Sequence, residues 1–257
     1  AVDKAESEPA ATYAANAEGA ENLARAAHAA GAAILHISTD YVFNGQTERP
    51  YRETDAPDPQ TIYGQSKLAG EQAVQAACPR HIILRTAWVF GEHGHNFVKT
   101  MLRLGRERDS LGIVADQSGA PTYAGHIAAA LLHITGRTQT ENCPYGLYHF
   151  SGSPYTTWHG FAAEIFRRAA EQGIDDAQFQ LGVLYTEGRG VPQDNDEAAD
   201  WYEAAALKGH ALAQFNLGVL YANARQYSHA RHWWNKSAEQ GNEDARSALA
   251  KLDEMGL

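Results

Sequence analysis

Cysteine is nearly absent from this chain of 257 residues: Cys78 and Cys143 stand 65 positions apart and form no Cys-x-x-Cys pair. That excludes a disulfide-built scaffold and a zinc ribbon, and reads as free thiols in a reducing compartment, the cytoplasm. No run of about 18 apolar residues occurs, so no membrane-crossing helix is expected. Basic clusters are missing too. The net charge is −10, with 17 acidic against 12 basic residues before Ile165 and 14 against 9 from there on. Neither nucleic acid nor an anionic membrane surface is therefore an expected partner. Twelve histidines are present without a His-Glu-x-x-His or other ligand spacing, and His93 and His95 fall on a loop, so no metal is expected. The chain also lacks a glycine-rich strand-to-helix turn of the kind that cradles a pyrophosphate, since Gly91-Glu-His-Gly94 opens no helix after a strand. It does not begin with methionine, and its first residues read as the middle of a longer sequence.

Apolar periodicity alternates between two kinds over the first 165 residues. An alanine-rich stretch (12–30) predicts a helix ending at Gly31, and Ala-Ile-Leu-His-Ile-Ser (33–38) predicts a buried parallel strand. A Gly-, Pro- and Asp-rich loop follows, then a helix from Tyr63 to Ala77, a strand at 81–86, a helix at 95–108, a strand near Ile113–Val114, a helix at 124–135 and a strand at 147–150. Strands alternating with helices argue for an α/β fold with a mostly parallel, Rossmann-like sheet.

From Ile165 the sequence repeats itself. Ala-Gln-Phe-Gln-Leu-Gly-Val-Leu-Tyr (177–185) returns as Ala-Gln-Phe-Asn-Leu-Gly-Val-Leu-Tyr (213–221), and Trp201-Tyr202 aligns with Trp233-Trp234. The periods are 36 and 32, the shorter unit lacking the loop Gly-Arg-Gly-Val-Pro (188–192). Such self-similarity marks a helical repeat solenoid, and these units resemble Sel1-like repeats, relatives of the tetratricopeptide repeat. The chain divides accordingly into an α/β module at 1–164 and an all-α repeat module at 165–257. Ile165-Phe166 stand where Trp201-Tyr202 stand, so one unbroken helix is expected across the seam. The repeat aromatics are expected between helices rather than on a binding face.

Tyr63 and Lys67, in Tyr-Gly-Gln-Ser-Lys, lie at i and i+4 on one helix face. A phenol titrates near pH 10, and a neighbouring ammonium lowers that value, making a usable proton donor to a carbonyl oxygen. The same ammonium can reach a ribose hydroxyl. By itself the pair also fits a surface aromatic–lysine contact. Its context favours chemistry: Ser38-Thr39-Asp40-Tyr41-Val42-Phe43 and Arg85-Thr86-Ala87-Trp88-Val89-Phe90 follow the two buried strands, at the carboxyl ends where open α/β sheets place ligands. Thr39 is a candidate third catalytic group, and Trp88 a flat apolar face for a sugar ring.

Ser-Thr-Asp-Tyr-Val-Phe, Tyr-Gly-x-x-Lys-Leu-Ala-Gly-Glu, Arg-Thr-x-Trp-Val-Phe, Asn-Phe-Val-Lys-Thr-Met-Leu, Asp-Gln-x-Gly-Ala-Pro-Thr and Thr-Thr-Trp-His stand in this order between residues 38 and 159. With that order and spacing, residues 1–168 resemble the dTDP-4-dehydrorhamnose reductases, extended short-chain dehydrogenases that complete dTDP-L-rhamnose synthesis. The resemblance implies reduction of the C4 ketone of dTDP-4-dehydro-6-deoxy-L-mannose by NADPH or NADH. It implies Tyr63 as proton donor, Lys67 as its modulator and cofactor anchor, and Thr39 as the third member. Ile37 falls at a cofactor contact; Val2, Asp40 and Trp88, with Asn96 and Asp116–Thr122, fall on the substrate side. Roughly the first 65 residues of that family, including its glycine-rich turn, have no counterpart here. The strand at 33–38 is thus expected to form a bare, adhesive sheet edge. Two functional readings follow: a reductase acting on a dTDP-sugar, with the repeats binding a protein partner, or a catalytically inert remnant carried by a repeat-based interaction module.

Overall fold

The computed structural model describes residues 2–139 and 143–257 and resolves them into two compact units. The first runs to Gly91 and resumes over Ala120–Tyr155; the second holds Glu92–Gly119 and Thr156–Leu257.

In the first unit, helices α1 (Val2–Ser7), α2 (Pro9–Tyr13) and α3 (Gly19–Ala29) precede strand β1 (Ile34–Thr39). The single helix expected over 12–30 is instead divided, α2 passing into α3 through a π-helical turn at Ala14–Glu18. There Asn16 donates to the Ser66 hydroxyl of α4 (Ile62–Ala77) at 2.9 Å, which ties the widened turn to the next helix. Strand β2 (His81–Thr86) lies parallel to β1, with Ile34 opposite His81 and Thr39 opposite Thr86. Strand β6 (Gly146–His149) pairs in parallel on its other side, giving the order β1-β2-β6. No strand among the described residues pairs with the outer side of β1, and Ile37 is 36% exposed there. The run Ile82-Ile83-Leu84 is buried throughout, as a central strand requires. On one sheet face Ile83 packs with Val74 of α4, Cys78 just after it, and Ala20 and Ala24 of α3. The short strands β3 (Val89–Phe90) and β5 (Thr122–Tyr123) pair beside helix α6 (Ala124–Arg137).

In the second unit, helix α5 (Phe97–Glu107) packs through Gly105 against Phe166 of α7 (Trp158–Glu171). The strand expected at Ile113–Val114 does not form. The segment joins no ladder, and Val114 O accepts from His159 N at 3.1 Å. The strand partner is taken by the next residues instead, β4 (Ser118–Gly119) pairing antiparallel with β7 (Thr156–Thr157). Helix α7 starts at the Thr157 cap and runs unbroken across 164/165. It leads into α8 (Asp175–Glu187), α9 (Asn195–Ala206), α10 (Ala211–Asn223), α11 (Tyr227–Glu239) and α12 (Glu243–Glu254).

The repeat core explains its own sequence periodicity. A Cβ on Gly182 would sit 2.6 Å from the Tyr202 ring, and one on Gly218 would sit 2.4 Å from Trp234 Nε1. The recurrent glycine makes room for the aromatic of the following helix. Tyr202, Trp233 and Trp234 are buried between helices as the sequence predicts, while Trp201 is half-buried. No helix among the described residues is long and apolar enough to cross a membrane.

Candidate active site

The site is assembled where β1 meets the start of α4. Thr61 caps α4, its hydroxyl accepting from Gly64 N at 3.0 Å, which fixes Tyr63 in the first turn. Gly64 decides how near that turn can come to β1. A Cβ there would lie 2.2 Å from the Tyr41 carbonyl oxygen, so a side chain would push Tyr63 away from Thr39. Because the helix period returns Lys67 to the face of Tyr63, both side chains reach the end of the same strand.

The Tyr63 phenol lies near the Thr39 side chain, which acts to lower its pKa. Thr39 Oγ1 donates to Asp40 Oδ1 at 3.1 Å and accepts from Tyr41 N at 3.2 Å. The Tyr41 ring stands edge-on to Tyr63, centroids 5.6 Å apart at 81°. Lys67 Nζ donates to the Ile37 carbonyl oxygen at 2.6 Å. Four of the sequence-derived residues, Ile37, Thr39, Asp40 and Tyr63, thus join Lys67 around one strand end.

Burial, rather than Lys67, sets the direction of the phenol's acidity. Desolvation pushes Tyr63 above the ordinary tyrosine value, opposed by the Thr39 side chain and reinforced by Asp40 and Tyr41. This differs from the sequence expectation of a lowered value: desolvation is the largest cause, and Lys67 is not among the groups acting on the phenol. Burial also lowers Lys67 and raises Asp40. A raised phenol stays protonated through the neutral range, the state a proton donor requires.

Val2 lies in the first turn of α1, one turn before Glu6, whose carboxylate accepts from Ile62 N at 2.8 Å. That bond sets α1 beside the start of α4. Trp88 follows β2, two residues beyond Thr86, the neighbour of Thr39 in the sheet. Its φ of 47° is left-handed, a conformation that costs a bulky residue about 1–3 kcal/mol. Thr122 N donates to the Trp88 carbonyl at 3.1 Å and holds the turn. Asn96 caps α5, accepting from Lys99 N at 3.2 Å, and it belongs with Asp116–Gly119 to the second unit. Ala120 and Thr122 are buried in the first, where Thr122 accepts from Gly152 N at 3.1 Å.

Sequence reasoning missed the support beneath α4. Arg85 and Glu71 form a bidentate pair, Nε to Oε1 at 2.9 Å and Nη2 to Oε2 at 2.6 Å, with 5% and 1% of the two side chains exposed. The Arg85 guanidinium lies 5.0 Å from the Phe43 ring, which stacks on Tyr51. A charged residue inside the buried run His-Ile-Ile-Leu-Arg-Thr was the available signal. Among the described residues no cluster of potential metal ligands is present.

The family described as RmlD substrate binding domain matches residues 1–191, and the Sel1 repeat matches 175–210 and 211–242. A dTDP-4-dehydrorhamnose reductase of Aggregatibacter actinomycetemcomitans is 49% identical over 174 residues, covering 67% of this chain and 59% of the relative. One of Salmonella typhimurium is 45% identical over 192 residues, covering 75% of this chain and 64% of the relative. The crystal structure of the Bacillus anthracis dTDP-4-dehydrorhamnose reductase in complex with NADP superposes with a TM-score of 0.62 at 43% identity, covering 66% of this chain and 59% of that one. The chain therefore spans less than two thirds of these relatives. Its first 191 residues, with the Thr39–Tyr63–Lys67 constellation among them, place it in the RmlD substrate-binding-domain family, followed by Sel1 repeats.

Proposed function

We propose that the 1–164 module is the catalytic part of an NADPH- or NADH-dependent reductase of the C4 ketone of dTDP-4-dehydro-6-deoxy-L-mannose. The observation that carries this reading is the gathering of Tyr63, Thr39 and the Lys67 ammonium, which donates to the Ile37 carbonyl at 2.6 Å, at the end of β1. In it, the protonated phenol is aimed at a carbonyl oxygen and delivers its proton as negative charge develops there. Thr39 then turns its single hydroxyl proton to the phenolate, leaving Asp40 with one hydrogen bond fewer. Lys67 balances the new charge on Tyr63 by releasing Ile37. Val2, Asp40 and Trp88 fall to the substrate, the last offering its ring to the sugar.

A bound nicotinamide would supply the hydride. The residues present fit its ribose end: Lys67 is half-buried with its ammonium at the strand edge, and Tyr63 and the Ile37 carbonyl lie beside it. They do not include a glycine-rich turn for the pyrophosphate, so the reading covers one half of the cofactor only. The residues 165–257 are read as a surface for a protein partner, since stacked helical pairs make a concave face. We read the protein as cytoplasmic, a reading supported by the two unpaired cysteines.

The test is to mix the purified chain with NADPH and the 4-keto sugar nucleotide and follow nicotinamide absorbance. Oxidation that disappears in Tyr63→Phe supports the assignment. Absence of NADPH binding at saturating sugar nucleotide refutes it for this chain and leaves the second reading, an inert reductase remnant on a repeat module.

A further inference from the structure

A groove of ≈ 410 Å³ runs between α12 and the α10–α11 pair, wholly within the second unit. Its apolar lining combines the nearly buried Trp234 and Leu252 with the half-buried Phe215 and with Met255, 65% exposed. Two exposed charges, Asp244 and Lys251, stand on the same lining. Neither side chain has an ion-pair or hydrogen-bond partner among the described residues.

Repeat register explains why this groove is open. One repeat earlier, Phe179 is 3% exposed, because His210 stacks on its ring with centroids 4.6 Å apart and Leu212 packs against the same core. Phe215 repeats Phe179 at a period of 36, while Asn242 and Asp244 repeat His210 and Leu212 at a period of 32. A small amide and a carboxylate thus replace an aromatic ring and an apolar cover, and Phe215 stays half-buried. Lys251 in turn stands where Val219 packs against the repeat core. Two apolar positions have become opposite charges beside an uncovered aromatic.

These replacements select the occupant. The groove has the size of a site for one small group, about 300–1,000 Å³, and its apolar surface suits a single large side chain. Aromatic side chains are the favoured anchors of protein interfaces, since they bury much area on few torsions. Asp244 and Lys251 lie seven residues apart in sequence, two helical turns or about 10 Å along α12. An extended chain crosses that distance in about three residues at ~3.3 Å each. A basic side chain opposite Asp244 and an acidic one opposite Lys251 would flank an aromatic residue and fix the chain's direction along the groove. A purely apolar ligand would leave both charges unanswered.

We propose that this groove docks a segment of a partner protein in which an aromatic side chain stands between one basic and one acidic residue, about three positions apart. The proposal rests on reading the repeats as a protein-binding surface, and names the place on it and the chemistry it takes.

The test titrates the ¹⁵N-labelled full chain with capped hexapeptides carrying Lys and Glu three positions apart, in both orders, with Phe or Trp between them. Binding is read from the Trp234 indole resonance, whose N–H donates to the Phe215 carbonyl at 3.0 Å. A saturable shift is expected there, weakened at least tenfold when the aromatic residue is replaced by Ala. Lys251→Gln should weaken it about two- to fivefold, as an exposed charge pair does. Asp244→Leu puts back the cover of the preceding repeat, and should abolish binding without lowering the thermal unfolding temperature. Peptides that produce no saturable shift, or that bind Asp244→Leu as tightly as the parent, overturn the proposal. Shifts confined to resonances of α8 and α9 overturn this groove while leaving the repeats a binding surface. Self-association in sedimentation that disappears in Asp244→Leu assigns the groove to a second copy of the chain, and overturns it as well.

Discussion

Breaking the buried pair under α4 is the most demanding test of the packing account. In Glu71→Leu the Arg85 guanidinium loses both of its acceptors while staying 5% exposed, since Nη1 already has no partner. Leaving one member of a buried ion pair uncompensated costs about 3–5 kcal/mol. Two charge-assisted hydrogen bonds at about 1.5–3 kcal/mol each lead to the same range. Arg85→Met strands the Glu71 carboxylate in the same way and should cost a similar amount. The double variant Glu71→Leu/Arg85→Met replaces the pair with apolar volume and should recover most of the loss, to within about 1–2 kcal/mol of the parent. Urea unfolding followed by far-ultraviolet circular dichroism, on all four proteins, measures the coupling. Single variants costing under about 1 kcal/mol, or a double variant costing the sum of the singles, would refute the assignment of Arg85–Glu71 as the buried tie between β2 and α4.

Gly64→Ala should displace Tyr63, because its Cβ meets the Tyr41 carbonyl at 2.2 Å; destabilisation on urea unfolding together with loss of nicotinamide binding is expected, and a neutral effect on both would contradict the close approach. Gly218→Ala should unseat Trp234, whose Nε1 donates to the Phe215 carbonyl at 3.0 Å, and red-shift tryptophan fluorescence; an unchanged spectrum would argue against that packing. His36 has its pKa lowered to about 4, chiefly by burial and then by Lys67, against about 6.5 when unfolded. Its neutral form is favoured by the fold, so stability is present above pH 6.5 and drains away between about 6.5 and 4, by at most ~3 kcal/mol. His36→Asn should flatten that slope in acid-dependent unfolding curves. Reductase activity, if carried by a phenol raised by burial, should hold through neutral pH and fall only above about 10; a decline centred near neutrality would assign the proton to another group.

Much of this was legible in residue patterns. Strand β2 announced itself because a central parallel strand leaves a buried apolar run, Ile82-Ile83-Leu84, whereas β1, expected buried as well, lies half-buried at the sheet edge with Ile37 exposed; the repeats announced themselves because glycine and aromatic positions recur at the helix–helix contact. Thr39 was singled out by its place at the carboxyl end of a strand and by the resemblance to the reductase family. Other features were not readable in this way. The Ile113–Val114 run had strand composition, but a strand needs a partner, and which residues pair with Thr156–Thr157 is settled by the tertiary chain path. The π-helical turn depends on a contact with α4 that no local pattern encodes. Nor could the direction of the Tyr63 shift be read from i, i+4 spacing. It depends chiefly on how deeply the ring is buried, which residue spacing does not report. The Arg85–Glu71 pair belongs to the same class, joining residues whose types are unremarkable until the fold brings them together.

The most direct measurement of the central claim is isotopic. The chain is incubated with NADPH carrying deuterium at the transferable C4 position and with the 4-keto dTDP-sugar, and the sugar nucleotide is recovered for mass spectrometry and NMR. The account predicts one deuterium at sugar C4 with the parent protein and none with Tyr63→Phe, while Tyr63→Phe keeps the parent's circular dichroism spectrum. Deuterium transfer that persists undiminished in Tyr63→Phe would contradict it, as would a parent protein that binds both molecules and transfers none.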